Sequence, residues 1–200
     1  MKKTFKYVMV ALAMLSAGTV ITSCEGEDNF LSQIINLLFN TGETYTYQGK
    51  ATSQILQGST VEGQGWRGKY INETNSNPTG ISTISSMQVS LECGQTAKLT
   101  LPAYTDGKGQ TSTITIYNLA MTASNDQTYT NLSIGDNSTI DGTITVDGQT
   151  YTAANLYIEN ATATSGQFAF TGTIYFANAD NTDYAIAINF TYAGASVATN

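Results

Sequence analysis

The sequence contains no histidine. That absence removes Ser-His-Asp and Cys-His catalysis and every zinc site built on an imidazole. Two cysteines are present, Cys24 and Cys93, and they form no Cys-x-x-Cys motif. No glycine loop ends in Lys-Ser/Thr and no Gly-x-Gly-x-x-Gly follows a strand, so the phosphate-cradling motifs are missing. Only two prolines, Pro78 and Pro102, interrupt the chain. Positive charge is scarce, with eight Lys and Arg against fifteen Asp and Glu. No apolar run reaches the roughly 20 residues a spanning helix needs. The longest, over residues 8–21, is broken by Ser16, Gly18 and Thr19.

What is present begins with an export signal. Lys2, Lys3 and Lys6 precede an apolar run over 7–15, and small residues follow to Ser23. That order is the charged, apolar and small-residue plan of a cleavable secretory segment. Ile21-Thr22-Ser23-Cys24 resembles the lipobox of bacterial lipoproteins. The resemblance implies that Cys24 is acylated, with chains such as palmitate, and becomes the first mature residue. Glu25-Gly26-Glu27-Asp28 resembles the surface-export tag of Bacteroidetes lipoproteins; a solvated acidic tether is the plainer reading. The expected location is the outer membrane, on the cell surface or on its periplasmic face.

Cleavage before Cys24 leaves 177 residues, enough for one domain with an ordinary core. Loss of the three signal lysines takes the net charge from −7 to −10. The remaining bases are Lys50, Arg67, Lys69, Lys98 and Lys108. That excludes the basic footprint of a nucleic-acid binder and direct attraction to anionic lipid. The membrane partner is reached through the Cys24 lipid alone. With Cys24 acylated, Cys93 has no disulfide partner within the chain. Its register with Met87, Val89 and Leu91 points it at the core, where a free cysteine acts as a small hydrophobe.

Three segments are expected: the signal (1–23), an acidic tether with an amphipathic helix (24–42), and a β-domain (43–200). The helix spans 29–39, where Phe30, Leu31, Ile34, Ile35 and Leu38 recur at spacings of three and four. From Glu43 the period becomes two. Runs over 44–56, 63–71, 82–93, 96–104, 111–121, 127–134, 167–177 and 182–193 read as strands. Ile140, Ile144 and Val146 line another, and Leu156 with Ile158 marks one more. Tyr184, Ile186, Ile188, Phe190 and Tyr192 are expected on one face. Asp147-Gly148 is a two-residue hairpin turn, because Asp-Gly supplies the positive φ it needs. About ten strands joined by short turns predict an all-β, antiparallel meander, closed as a barrel or stacked as a sandwich.

The run Thr113-Ile114-Thr115-Ile116-Tyr117-Asn118-Leu119, the Ile134-Gly135-Asp136 turn, and Ile140-Asp141-Gly142-Thr143-Ile144-Thr145-Val146 carry a second likeness. With the lipobox and the strands over 166–176 and 184–192, they resemble the calycin-like β-barrel lipoproteins of Bacteroidetes. The resemblance covers about residues 44–193 and implies a lipocalin-like barrel of eight to ten strands. It implies no catalytic residue and no cofactor.

Trp66, Arg67 and Tyr70 stand among Gly63, Gly65 and Gly68 and are the candidate ligand-binding residues. An aromatic ring on such a segment stacks on a sugar face or plugs a barrel end. Tyr45, Tyr47, Tyr117, Tyr129, Tyr151, Tyr157 and Tyr175 serve cross-strand pairing or a binding surface. Asp136 with Asp141 and Asp180 with Asp183 are the carboxylate pairs a glycosidase would require in one cleft. Asp126, Asp136, Asp147 and Asp180 lack the Asp-x-Asp-x-Asp-Gly spacing of a calcium loop. No metal, cofactor or catalytic residue is therefore expected. The expected function is non-catalytic binding of a small apolar or glycan ligand. The alternative is an interaction lipoprotein that meets another envelope protein through its outer face or a sheet edge.

Overall fold

The computed structural model describes residues 42–126, 128–178 and 183–197. The expected signal, Cys24, the acidic tether and the helix over 29–39 lie outside the described residues, as does Asp180. Every described regular element is a strand. In chain order they are β1 (Thr44–Val61), β2 (Gly65–Tyr70), β3 (Ser82–Cys93), β4 (Ala97–Leu101), β5 (Thr105–Asp106), β6 (Gly109–Thr111), β7 (Ile114–Ala123), β8 (Thr130–Ser133), β9 (Thr139–Asp141), β10 (Thr143–Val146), β11 (Gln149–Ala163), β12 (Gln167–Ala177) and β13 (Tyr184–Ser196).

Eight of them close a ring: β12-β13-β1-β3-β4-β7-β8-β11 and back to β12. All pairings are antiparallel. Closure follows from the pattern, since each long strand buries one face and an open sheet would leave two edges unpaired. β10, β6 and β5 continue from β11 as a short flap, while β9 pairs β7 and β2 pairs β1.

The count exceeds the expected ten for two reasons. Thr105-Asp106 and Gly109-Thr111 form a small hairpin where a simple turn is expected. The single strand expected through Ile140, Ile144 and Val146 is divided at Gly142. There φ is +140° and a Cβ would stand 3.0 Å from the Ile114 Cα. The break lets one run serve two ladders, β9 on β7 and β10 on β11. Asn118, at φ +56°, marks the matching point where β7 passes from β9 to β8. Asp147 and Gly148 both have positive φ, as their turn requires.

The ring has two distinct ends. At the near end lie Gly42, the β3–β4 turn, the Ser165-Gly166 turn and the chain's exit, where Val197 N–H donates to Thr46 O at 2.8 Å. At the far end lie the β1–β2 hairpin, the loop over 71–81, the β5–β6 hairpin and the Asp147-Gly148 turn.

Period-two alternation fills the inside. Phe168, Phe170, Ile174 and Phe176 of β12 face Ile186, Ile188, Phe190 and Tyr192 of β13, all 1% exposed or less. Met87, Val89, Leu91 and Cys93 of β3 complete the wall beside Leu99, Leu101, Ile114 and Ile116. Each large apolar side chain buried this way stabilises the fold by about 1.5–3 kcal/mol.

Candidate functional site

Side chains fill the ring interior along β12 and β13. A void large enough for a ligand would leave its wall accessible to water. The inward rows of β12 and β13 are closed to it. An eight-stranded ring is just wide enough for its side chains to fill. The expected small apolar ligand finds no chamber along β12 and β13. One open cleft, of about 260 Å³, reaches the core residues Ile116 and Leu156 between Ile134 and Ile140.

The chemically distinctive outer surface is built around Trp66. β2 carries the chain back along the overhanging end of β1, with Leu56 opposite Tyr70 and Thr60 opposite Trp66. Alternation puts Trp66, Gly68 and Tyr70 on one face of β2 and Arg67 and Lys69 on the other. The Trp66 indole Nε1–H donates to Tyr184 O at 2.8 Å. Its ring meets Tyr175 edge-on, with centroids 5.6 Å apart, and Tyr175 lies 5.3 Å from Tyr184. Asn155 Nδ2 donates to the Tyr184 hydroxyl at 3.0 Å. Gly68 makes room for the indole, since a Cβ there would stand 2.2 Å from Trp66 Cη2. Ala187 points outward, opposite Tyr175 and Leu56, yet is fully buried. Tyr157, 62% exposed, sits opposite Thr173 and so diagonally from Tyr175.

Of the three residues singled out from the sequence, Trp66 alone enters this cluster. It is neither a core residue nor an end plug; it packs on the outside of the ring. Arg67 is exposed and its guanidinium donates to Trp66 O at 3.3 Å. Tyr70, also exposed, lies against Gly80. Tyr184 departs from its expected inward row. A bulge lets Phe176 pair Ile186 while Ala177 pairs Tyr184, which moves Tyr184 to the outer face. Asn155 carried no signal in the sequence. The tyrosines divide: Tyr47 and Tyr151 are buried, whereas Tyr117, Tyr129 and Tyr157 are exposed.

A second cluster lies at the far end of the ring. Asp106, 1% exposed, receives the Ser53 hydroxyl, the Ser82 hydroxyl at 2.6 Å, and Asn72 Nδ2 at 3.1 and 3.2 Å. Asn72 Nδ2 also reaches Ser82 Oγ at 3.2 Å. Asn72 Oδ1 and the Tyr104 hydroxyl are buried without a hydrogen-bond partner. None of the described basic side chains pairs with Asp106; Lys98 pairs with Glu92 across β3 and β4.

The carboxylate pairs weighed from the sequence are placed only in part, since Asp180 lies outside the described residues. Asp136 and Asp141 are both exposed, and Asp141 Oδ1 accepts the Gly142 N–H at 2.8 Å. Asp183 is exposed. Asp126 belongs to a turn, where bonds from Ser124 and then Thr128 hold its carboxyl below the usual range. Among the described residues no three His, Cys, Asp or Glu side chains group to hold a metal. Cys93 is buried and free. Burial foremost, then Glu43 and Glu92, push its thiol up to about 12, the reverse of an activated nucleophile.

The sequence matches no family model, no curated protein and no solved structure.

Proposed function

We propose that this chain is an exported, lipid-anchored envelope protein whose calycin-like barrel is a non-catalytic binding module for a neutral glycan. The carrying observation is the outward cluster of Trp66, Tyr175 and Tyr184 beside Asn155 and the exposed Tyr157. Aromatic faces accept the C–H face of a pyranose, and neighbouring amide and hydroxyl groups meet its hydroxyls. The net charge of −10 expected for the mature chain disfavours acidic polysaccharides. The Trp66 hairpin stands at the far end of the ring, opposite the end where Gly42 enters.

A free sheet edge favours the alternative, an interaction lipoprotein, because β2 pairs β1 alone. That edge carries Arg67 and Lys69, however, and charged edge residues oppose strand addition. Glycan binding is therefore the preferred reading.

Affinity electrophoresis against neutral and acidic polysaccharides tests it, with the single tryptophan as an independent fluorescence probe. The expected outcome is retardation by at least one neutral polysaccharide, weakened about tenfold or more in Trp66→Ala and Tyr157→Ala. That loss corresponds to about 1.4 kcal/mol. Retardation that both variants retain in full would move the site off this surface.

A further inference from the structure

We propose that the seam between β11 and the β8–β9 side of the ring holds the alkyl or acyl chain of a neutral sugar amphiphile. The proposal rests on the glycan reading of the Trp66 surface and names the class of glycan. The ring closes over its shortest ladder where β11 meets β8, at two residue pairs, Thr162 with Asn131 and Ala163 with Thr130. β11 meets β10 over 149–152. Between these two ladders, over 154–161, it pairs β12 alone. β9 lies across the seam and pairs β7 alone. Two clefts occupy the seam. The one of about 260 Å³ reaches the core at Ile116 and Leu156. The other, of about 460 Å³, continues along β11 past Ile158 and shares Ile134 and Leu156 with the first. Ile134, where the two meet, is 45% exposed.

Three observations choose the occupant. First, a free strand edge can accept another strand, but this one is interrupted by bulges at Ala154 and Glu159. Bulges blunt an edge against pairing. What remains is an apolar floor along a stretch of strand roughly 20–25 Å long, which suits a flexible chain of methylenes. Second, Glu159 lines the longer cleft and no basic side chain lines either. A fatty-acid carboxylate or a lipid phosphate would meet repulsion there and no partner. The headgroup is therefore neutral. Third, the seam is continuous with the aromatic surface through Asn155. That residue lines the first cleft, stands opposite Tyr175, and donates from Nδ2 to the Tyr184 hydroxyl at 3.0 Å. Its Oδ1 accepts the Leu156 N–H at 2.8 Å, which fixes the amide at the boundary. Neighbouring strands lie about 4.8 Å apart. A sugar stacked over β12 thus carries its chain into the seam one strand away.

Calorimetric titration of the full lipidated chain in phosphatidylcholine vesicles tests the seam, with empty vesicles correcting for partition. The probes are methyl and hexyl glycosides of glucose, galactose, mannose and N-acetylglucosamine, and sodium hexanoate. For at least one sugar the hexyl glycoside is expected to bind about tenfold tighter or more than the methyl glycoside, since each buried methylene is worth about fourfold in affinity. Hexanoate should bind about tenfold more weakly than that hexyl glycoside. Ala154→Phe fills the first cleft and Ile134→Asp charges the place where the clefts meet; both positions are exposed, so the fold tolerates the change. Each should cut the hexyl advantage to below about threefold, whereas Trp66→Ala should weaken both glycosides alike and keep their ratio. Equal affinity for methyl and hexyl glycosides, or no binding of either, overturns the seam; polysaccharide retardation then decides the glycan reading separately. A hexyl advantage retained in both seam variants overturns the location. Hexanoate bound as tightly as the hexyl glycoside overturns the neutral headgroup. Hexyl binding that Trp66→Ala leaves intact overturns the link to the aromatic surface.

Discussion

Cys93 closes the inward row of β3, where the alternation of Met87, Val89 and Leu91 leads to it. Burial holds its thiol at about 12. At pH 8 only about one molecule in ten thousand carries the reactive thiolate. A disulfide reagent is therefore expected to leave the native protein unlabelled over hours and to label the denatured chain at once. Stoichiometric labelling of the native protein within minutes would contradict the buried placement. Residues of this kind were legible in the sequence, because a period-two row of large apolar side chains has one physical outcome in a closed sheet. Asp106 was not legible. It stands in Thr105-Asp106-Gly107-Lys108, whose composition reads as a solvated turn. Its burial comes from Ser53, Asn72 and Ser82, which lie between 24 and 53 residues away in sequence.

Elements were legible where one strand meets one partner along its whole length, as β12 meets β13. They were not legible where a strand changes partners. Gly142 is such a place, and the bulge at Ala185 within the β12–β13 ladder is a second kind, because a single extra residue reverses which face Tyr184 occupies. The β1 and β2 runs were visible as strands, but their pairing and the packing of Trp66 onto the outer face were not. That packing depends on Gly68. In Gly68→Ala the new methyl must displace the indole or the strand. The expected result is a Trp66 emission spectrum shifted to longer wavelength as the indole leaves Tyr175 and the Tyr184 carbonyl. A stability loss of about 1–2 kcal/mol should accompany it, because the hairpin packs outside the main core. Polysaccharide retardation should fall in parallel with the spectral shift. An unchanged spectrum in the variant would show that the indole is not wedged over Gly68.

At the scale of the whole molecule, the ring is closed by buried phenols as well as by aliphatic rows. Tyr47 of β1 donates its hydroxyl proton to Thr164 O at 2.7 Å, and Tyr192 of β13 donates to Met87 O at 3.4 Å. These bonds tie β1 to the β11–β12 turn and β13 to β3, across the ring from where sequence neighbours could reach. Burial is the leading cause that raises the phenols of Tyr47, Tyr104 and Tyr192, the last to about 12; it raises Cys93 likewise. The unfolded chain releases these protons nearer 10 for the tyrosines and 9 for the cysteine. A group whose pKa is raised by folding contributes its full stability below the unfolded value. That contribution is lost as pH rises toward the folded value. The window here opens near pH 9 and runs to about 12. The urea midpoint is therefore expected to hold level from pH 7 to 9 and then fall steadily toward pH 12. Tyr47→Phe should start from a lower midpoint, having lost the bond to Thr164 O, but fall less steeply because one titrating phenol is gone. A midpoint that stays level through pH 12 would mean that these hydroxyls reach water and that the ring is not closed around them.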